Sequence, residues 1–362
     1  MALRIGIVGM RGIGNTHAQA YVKDPLAKLV AVCDVVKARA DEAAKAYGVH
    51  AYTSQAEMMR NEELDIVDVA TGGIENGSWH FEPAMMAIEA GKHVLVEKPL
   101  SNNVGEARQM VARAAEKKVY LGCNLNHYFT PTADEARKHI ANGEIGEIVY
   151  CLHKMGFSGS EPENYTAPGS PKTKGWPYWH LKAFLTHPFS VMRNFCGDIT
   201  HVQAFVDRPG YRRRAGDAML SIASINVRFS SGAVGYLLSQ RGDAPFGLGG
   251  WWSVEVAGTR GTFCIENCIE KITYWPGKTP NEPVVTNSGL TDFGLTFPLR
   301  LHAFLEDITN GVHKELIRAS GRDALAVLEY TWAVMESYEQ GGALVRPNPL
   351  PPLHGDPVAW AD

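Results

Sequence analysis

The sequence predicts an α/β protein: a doubly wound parallel sheet in an N-terminal domain, followed by a C-terminal α+β domain with a large, open, mainly antiparallel sheet. Over the first third of the chain, short apolar runs alternate with helical patterns, as in parallel sheets. From about residue 150, longer runs rich in β-branched and aromatic residues follow. We expect domains at 1–124 and 125–346, with an extended, proline-rich arm at 347–362.

The first domain begins with a strand, a glycine-rich turn and a helix. The strand is predicted at residues 3–8, and the helix starts at Asn15. The turn between them comprises Gly9, Met10, Arg11, Gly12, Ile13 and Gly14. Glycines permit a tight turn, and backbone amides at a helix N-terminus can hold a pyrophosphate. We therefore predict a dinucleotide site at this turn, although Arg11 replaces the middle glycine of the usual G-x-G-x-x-G pattern.

An acidic residue follows the second strand. This apolar strand, 29–33, ends at Asp34, twenty residues after Gly14. A carboxylate at this spacing accepts hydrogen bonds from the adenosine ribose hydroxyls and repels a 2′-phosphate. The sequence thus favours NAD over NADP, while the basic residues Lys37 and Arg39 leave NADP as the alternative.

The remaining elements of this domain follow in alternation. We predict helices at 38–47, 82–90 and 104–117 and strands at 64–70, 93–96 and 119–123. Ligands of such sheets bind beyond the carboxyl ends of the strands, which is where Thr71, Glu97 and Lys98 fall. We expect these residues to share a cleft with the cofactor. His80 is expected at the cofactor end of that cleft, in a structural role or in contact with nicotinamide.

The second domain is predicted from its strand patterns. Strands are expected at 199–206, 219–229, 233–239, 252–257 and 261–265, and helices at 299–309 and 323–338. An open sheet with strands rich in valine, isoleucine and tryptophan needs covering on its second face. We therefore expect a homo-oligomer.

Composition excludes several classes of protein. With 362 residues and 45% hydrophobic content, the chain can bury two cores. A net charge of −4 argues against nucleic acid as a partner, and we expect the basic residues 212–214 to be a solvated cluster. Six cysteines without paired C-x-x-C spacing predict neither zinc nor a disulfide framework. No apolar run approaches a membrane span and no signal peptide is recognisable, so we expect a cytoplasmic protein.

Taken together, these motifs resemble one family, that of glucose-fructose oxidoreductase, inositol dehydrogenase and rhizopine catabolism (Gfo/Idh/MocA). The likeness rests on the glycine turn with His17, on Asp34, on His80 seventeen residues before Glu97, and on the runs 90–100 and 142–148. The resemblance implies a Rossmann domain, a sheet-based second domain, NAD or NADP, and oxidation or reduction of a sugar or cyclitol carbon. By analogy it also implies a homodimer or homotetramer.

The family's second catalytic cluster is a helix carrying D-x-G-x-H, in which the histidine is acid or base and the aspartate supports it. His187 occupies the histidine position, but Ala183 and Leu185 stand where the aspartate and the glycine would be. His180 lies seven residues before His187, nearly two helical turns, so both rings can face one cleft if the helix is continuous. His180 or Lys182 can then substitute for the missing carboxylate.

Oxidation of an alcohol needs a base for the hydroxyl proton and a group that stabilises the developing alkoxide. Imidazole has the unperturbed pKa nearest neutrality, so His187 is the first candidate for the base, with His180 as a further catalytic candidate. Lys98 is expected to hydrogen-bond the same oxygen and stabilise its negative charge. The two roles can be exchanged if the pKa of Lys98 is lowered.

Residues near this cluster have the character of a sugar site. Aromatic faces stack on pyranose rings while neighbouring polar groups bind hydroxyls. The candidates for substrate binding, besides Lys98 and His187, are Trp176, Trp179, His180, Lys182, Asn126, His127 and Tyr165. For the tryptophans, a loop anchored in a core is the alternative.

The sequence therefore predicts an NAD-dependent oxidoreductase acting on a secondary alcohol of a sugar, glycoside or cyclitol. One alternative is a redox-neutral epimerase or glycosidase that oxidises a sugar carbon transiently and returns the hydride to tightly bound NAD. Another is a catalytically inactive NAD-binding sensor or partner subunit. Two departures from the usual motifs favour this alternative: Arg11 in the glycine turn and the missing aspartate.

Overall fold

The computed structural model describes residues 2–73, 77–156, 177–244, 247, 250–277, 282–290 and 292–354. The chain divides into two compact units. The first contains Met1–Leu125, Phe297–Leu328 and the described residues from Pro349 on. The second contains Asn126–Thr296 and Glu329–Asn348. Each unit is built around its own sheet.

The sheet of the first unit is parallel throughout. Its strands, within the described residues, are β1 Leu3–Val8, β2 Ala27–Cys33, β3 His50–Tyr52, β4 Ile66–Val69, β5 His93–Val96 and β6 Leu121–Cys123. They pair in the order β3-β2-β1-β4-β5-β6, all in parallel. This order reverses direction between β1 and β4, which is the switch point where such sheets bind dinucleotides. The predicted doubly wound sheet is confirmed.

Helices connect these strands. They are α1 Gly12–Tyr21, α2 Lys37–Tyr47, α3 Gln55–Asn61, α4 Phe81–Glu89 and α5 Val104–Lys117. Side chains cap two of them, because Ser54 accepts from the Glu57 amide before α3 and Asn103 accepts from the Gly105 and Glu106 amides at α5. Sequence analysis did not identify β3 or α3. The strand is three residues long and largely exposed, so it lacks the apolar run that marks a buried strand.

The sheet of the second unit is mainly antiparallel, as predicted. Its order is β14-β13-β12-β11-β7-β10-β9-β8, and β7 and β10 form a parallel pair. The strands are β7 Ile148–Gly156, β8 Ile199–Asp207, β9 Ile222–Phe229, β10 Val234–Gln240, β11 Trp252–Gly258, β12 Gly261–Glu266, β13 Lys271–Pro276 and β14 Val284–Asn287. Sequence analysis did not single out β7, although it lies in the middle of the sheet.

The helices that follow β6 in the chain belong partly to the second unit and partly to the first. They are α6 Pro131–Ala141, α7 Trp179–Phe184, α8 Thr186–Cys196, α9 Gly210–Arg214, α10 Thr296–Thr309 and α11 Gly321–Glu339, with short 3-10 turns at Asn126–Tyr128 and Phe293–Leu295. Helix α8 lies against β7. Alternate residues of the strands, such as Val202, Ile225, Leu237 and Phe263, are buried and form the core.

The compact units differ from the predicted boundaries at 297–328. The sequence predicts one domain over 125–346, whereas α10 belongs to the first unit. The reason is hydrophobic: Leu301, Phe304 and Leu305 of α10 are buried in the same cluster as Ile5 and Ile66 of the parallel sheet. The first unit is therefore completed by a segment that follows most of the second unit in the chain.

Arg300 fixes α10 to the parallel sheet. Its side chain is fully buried, its Nε donates to the Cys123 carbonyl at 3.0 Å, and its Nη2 donates to the Ala319 carbonyl at 3.1 Å. Gly122 makes room for this contact, because a Cβ there would lie 2.9 Å from the Phe304 ring and from Arg300.

The basic cluster 212–214 is only partly on the surface. The prediction of a solvated cluster is wrong for Arg212, which is fully buried. Its Nη1 lies 2.8 Å from an Asp217 oxygen and its Nε lies 2.5 Å from Asp243. Two carboxylates compensate the charge, so this arginine ties α9 to the segments that carry Asp217 and Asp243. Separately, no helix in the described part of the chain is long and apolar enough to cross a membrane.

We expect Arg300→Met to destabilise the protein by about 2–3 kcal/mol, because the variant leaves two buried carbonyls without charged donors. Urea unfolding followed by circular dichroism measures the change. Arg113→Met is the matched control, since Arg113 pairs with Glu89 on the surface, and its unfolding midpoint should stay close to that of the unaltered protein. Equal midpoints for the two variants would contradict the role assigned to Arg300.

Candidate active site

The glycine turn after β1 has the shape of a phosphate cradle. Gly9 has a φ of +98°, and a Cβ there would lie 2.8 Å from the Ala70 backbone. A Cβ on Gly14 would lie 1.9 Å from the Gly9 carbonyl oxygen, so α1 packs closely on the turn. Gly12 borders open space, and the exposed Arg11 precedes the first residue of α1. The amino end of α1 is thus open to an anion.

Asp34 is held at the end of β2 by the glycine turn itself. Its carboxylate accepts from the Met10 amide at 2.9 Å and from the Val36 amide at 2.8 Å. Arg39 lies beside it, with Nη1 3.3 Å from both carboxylate oxygens. The carboxylate therefore stands where the ribose acid of a dinucleotide site is expected, next to a cation that can bind a phosphate.

His80 links the segments that follow β4 and β5. It is buried, with Nε2 2.6 Å from the Thr71 carbonyl oxygen and Nδ1 2.7 Å from the Pro99 carbonyl oxygen. Burial lowers the pKa of His80 more than these acceptors raise it. A neutral ring donates from one nitrogen at a time. Since a carbonyl oxygen lies near each ring nitrogen, the ring is hydrogen-bonded to one of the two segments and is packed against the other.

A buried ionic network lies at the carboxyl ends of β4 and β5. His17 of α1 has Nδ1 2.9 Å from Asp68 Oδ2 and Nε2 3.1 Å from Glu97 Oε1. Tyr21 donates to Asp68 Oδ2 at 2.6 Å, and Asn124 donates to Glu97. All five side chains are buried. Among these residues, one imidazole lies between two carboxylates.

The charges of this network determine its protonation. Burial by itself lowers the pKa of His17, but the Asp68 carboxylate and then Glu97 outweigh burial and raise that pKa to about 10. Burial alone would raise the pKa of Glu97, yet His17, Lys98 and Asn124 together lower it. At neutral pH the network therefore holds an imidazolium that donates to two carboxylates.

Lys98 follows this network directly. Its backbone amide donates to Glu97 Oε2 at 3.1 Å, so the carboxylate that contacts His17 also holds the backbone of Lys98 in place. The residue is half-buried at the end of β5. An ammonium group there can donate a hydrogen bond to a substrate oxygen and stabilise negative charge on it.

In the second unit, His187 stacks on His127. The ring centroids lie 3.7 Å apart with an interplanar angle of 18°, and both residues are buried. His187 is the second residue of α8, and Ser190 donates to its carbonyl at 2.7 Å. Phe293 packs edge-on against His127 at 4.8 Å. Packing thus fixes the plane of the His187 ring.

His180 has a different environment. The helix expected to carry both histidines is divided at Leu185 into α7 and α8. His180 Nε2 lies 3.0 Å from Ser239 Oγ, and burial, followed by the charges of Arg241 and Arg212, lowers its pKa to about 3. His180 stays a predicted catalytic residue, and its lowered pKa disfavours the protonated form of the ring.

The remaining candidates have separate neighbours. Lys182 lies 5.3 Å from the Trp332 ring centroid, in a cavity of about 430 Å³ whose lining includes neither His180 nor His187. Asn126 donates to Thr296 at 2.8 Å and is buried. Trp179 is buried against Phe184, as in the alternative of a core anchor. Trp176 and Tyr165 lie outside the described residues.

Sequence analysis missed three members of the ionic network. Asp68, Tyr21 and Asn124 were not candidates, and His17 was only part of a motif. One signal was available: Asp68 interrupts the apolar strand Ile66–Val69. A carboxylate in a strand buried on both faces needs a partner of opposite charge. The identity of that partner depends on the fold.

The model of the Gfo/Idh/MocA oxidoreductase family, described as an NAD-binding Rossmann fold, matches residues 3–125. The model of the Gfo/Idh/MocA C-terminal domain matches residues 133–264. The two matches together span most of the chain.

Individual relatives agree with these models. The NAD⁺-dependent scyllo-inositol 2-dehydrogenase of Bacillus subtilis is 27% identical over 346 residues, covering 94% of this chain and 95% of the relative. Levoglucosan dehydrogenase of Pseudarthrobacter phenanthrenivorans is 26% identical over 297 residues, covering 72% of each. A solved structure of levoglucosan dehydrogenase with NADH and levoglucosan aligns with a TM-score of 0.81 at 22% identity, over 96% of this chain and 100% of that one. The structural likeness shows the shared fold.

We expect Asp34→Ser to shift cofactor preference toward NADPH. The change removes the charge that repels a 2′-phosphate and frees Arg39 to bind one, so the ratio of NADPH to NADH affinity should rise roughly 10- to 100-fold. Fluorescence titration with each reduced cofactor measures the affinities without a substrate.

The double variant Asp34→Ser with Arg39→Ser is the control. It should lose most of the gain for NADPH while keeping the loss for NADH. If the double variant binds NADPH as tightly as Asp34→Ser, Arg39 is not the phosphate partner.

Proposed function

Because the chain belongs to the Gfo/Idh/MocA family of NAD-binding oxidoreductases, we propose that it transfers a hydride between NAD and a secondary alcohol carbon of a sugar, glycoside or cyclitol. Relatives named as inositol and levoglucosan dehydrogenases support this substrate class. The observation that carries the proposal is Lys98, which follows β5 in a family whose first domain is the NAD-binding unit.

The residues of the first unit fit the cofactor. The turn at Gly9 and Gly14 has no room for side chains, the amino end of α1 is open, and the Asp34 carboxylate is bonded to the amide of Met10 in this turn. We infer that these groups, with Thr71 at the end of β4, hold the dinucleotide. When bound, NAD supplies the hydride acceptor for alcohol oxidation.

Lys98 and His187 are the proposed catalytic groups. The Lys98 ammonium donates a hydrogen bond to the substrate oxygen and stabilises negative charge as the C–H bond breaks. His187 accepts the hydroxyl proton and returns it when the reaction runs in reverse. The support is the family resemblance at these positions together with the buried, fixed ring of His187.

His127 is proposed to replace the missing family aspartate in orienting His187. Ala183, at the aspartate position, is buried and has no hydrogen-bonding side chain. The stacked ring of His127 constrains the plane of His187 instead, at a centroid distance of 3.7 Å. Orientation by stacking adds no negative charge, so the His187 base is supported without the carboxylate that would stabilise its protonated form.

Two further proposals concern assembly and location. We propose that a second copy of the chain covers the outer face of the antiparallel sheet, to give a homodimer or homotetramer in the cytoplasm. Leu152, Val234 and Phe205 are 45%, 52% and 65% exposed on this face. Lys154 and Glu255 lie among them on neighbouring strands, so the face combines apolar area with charges of both signs that can pair between two copies at a polar rim.

We expect Lys98→Ala to lower kcat by roughly 10²–10⁴-fold with a sugar or cyclitol, because the variant loses the charge that stabilises the alkoxide. The measurement is formation of NADH, followed by its absorbance, with NAD and a panel of inositols, aldoses and glycosides. His187→Gln should lower kcat by a similar factor. Lys117→Ala, which alters a surface lysine paired with Glu89, should leave the rate unchanged.

Product analysis of the same mixtures separates the rival functions. Altered sugar without accumulated NADH indicates a redox-neutral enzyme. Binding of NADH with no altered sugar from any member of the panel argues for the inactive sensor and against the proposed dehydrogenase. Activity that survives in Lys98→Ala would contradict the role of Lys98 alone.

We expect Leu152→Arg to dissociate the oligomer, because it introduces a charge into the apolar part of the proposed interface. Size-exclusion chromatography with light scattering gives the mass of the particle. Leu316→Arg, at a 58% exposed leucine of the first unit, is the control and should keep the mass of the unaltered protein. A monomeric unaltered protein at micromolar concentration would refute the interface.

A further inference from the structure

The proposed mechanism uses Lys98 but leaves unexplained the ionic network that precedes it. Two carboxylates, Asp68 and Glu97, are buried at the ends of adjacent strands. Burying a carboxylate costs several kcal/mol unless a partner compensates it. A purely structural role would be met as well by apolar side chains of similar size, so the network calls for another explanation.

We propose that His17 is a positioning residue for Lys98: its ring bridges Asp68 and Glu97, fixes the carboxylate that binds the Lys98 amide, and keeps the net charge beside the lysine at one negative charge rather than two. This inference rests on the proposed function for its catalytic meaning. The effect of His17 on the proton affinity of Lys98 involves only residues of this chain, and it can be measured without a reaction.

The geometry supplies a continuous chain of contacts. Asp68 contacts His17 at 2.9 Å, His17 contacts Glu97 at 3.1 Å, and Glu97 accepts from the Lys98 amide at 3.1 Å. Glu97 uses one oxygen for His17 and the other for Lys98. Rotation of this carboxylate would therefore break both contacts, so the histidine holds the backbone at the start of the lysine.

The electrostatic effect follows from counting charges. With His17 protonated, the three side chains of His17, Asp68 and Glu97 carry one net negative charge, and without the imidazolium they carry two. A more negative neighbourhood stabilises the ammonium form of lysine and raises its pKa. His17 thus lowers the affinity of Lys98 for its proton and so sets the upper end of the pH range in which the ammonium group is present.

Other polar groups face the same residues. Tyr21 and Asn124 donate to the two carboxylates. From α10, the ring of Phe297 lies 6.0 Å from His17, and Arg300 acts on the pKa of Tyr21. On the side of Lys98, His80 has a pKa lowered by burial, and burial raises the pKa of the Cys123 thiol, so both are neutral near pH 7. Among these groups His17 is the cation that contacts Glu97.

The test is the titration of Lys98 in full-length protein whose lysines carry ¹³C-methyl labels, observed by NMR and assigned with Lys98→Arg. We expect His17→Gln to raise the pKa of Lys98 by roughly 0.5–1.5 units. The double variant His17→Gln with Asp68→Asn restores one net negative charge and should bring the pKa back toward its original value. An unchanged pKa in folded His17→Gln would overturn the proposal.

Tyr21→Phe distinguishes charge from packing. This variant removes a buried hydrogen bond to the same Asp68 carboxylate but leaves every charge in the network. The pKa of Lys98 should stay near its original value. A shift as large as that of His17→Gln would mean that disturbed packing, not charge, is responsible, and would overturn the proposal. His50→Gln, at a surface His50–Glu62 pair, should have no effect.

Two further measurements complete the test. In the unaltered protein, ¹⁵N NMR should show His17 protonated on both ring nitrogens at neutral pH, and a neutral ring would overturn the proposal even if His17→Gln does not fold. With an active substrate, the alkaline limb of the kcat/KM profile, which reports loss of the Lys98 proton, should move to higher pH in His17→Gln and return in the double variant. If no substrate is turned over, the proposed function fails while the NMR titrations still decide the role of His17.

Discussion

The structure of the first unit depends on the neutralisation of two carboxylates inside a parallel sheet. Asp68 and Glu97 stand at the ends of β4 and β5, next to the switch point where the sheet opens toward a ligand. Hydrophobic packing alone cannot accommodate them, because buried charges need partners. His17 reaches both from α1, the same helix whose amino end faces the glycine turn. One helix thereby serves the predicted phosphate site at its first residues and the ionic network one turn later.

The elements that could be predicted from the sequence are those marked by a short local pattern of residues. The strand–turn–helix opening and five of the six strands of the parallel sheet were predicted because each contains a short apolar run or a glycine turn, whereas the short β3 was not. The place of α10 was not, since the affinity of Leu301 and Phe304 for the first core depends on packing between distant segments. The same holds for Arg212, whose two carboxylate partners lie 5 and 31 residues along the chain.

The candidate site shows the same limit. The sequence allowed His180 and His187 to face one cleft if a single continuous helix carried both, but the chain divides at Leu185 into two helices. His180 contacts the Ser239 hydroxyl, and the ring of His187 stacks on that of His127. The spacing of two residues predicts the relative directions of their side chains only if one continuous helix carries both. The stacking of His127 on His187 leaves no local signal, because the residues lie sixty positions apart and on different elements.

The first unit is built from segments that are far apart in the chain, and their order affects how the protein can fold during synthesis. Residues 1–125 hold the whole parallel sheet, but α10, which buries Phe304 and Leu305 in its core and carries Arg300 to the Cys123 carbonyl, follows Thr296 in the chain. At ordinary translation speeds of about 5–20 residues per second, the sheet waits roughly 10–30 s for this helix. Through that interval its apolar surface is open to solvent on the ribosome, so chaperones that hold nascent chains have their main opportunity to act there. The amino-terminal third is made first, yet it finishes folding only after all the described strands of the second sheet have been synthesised.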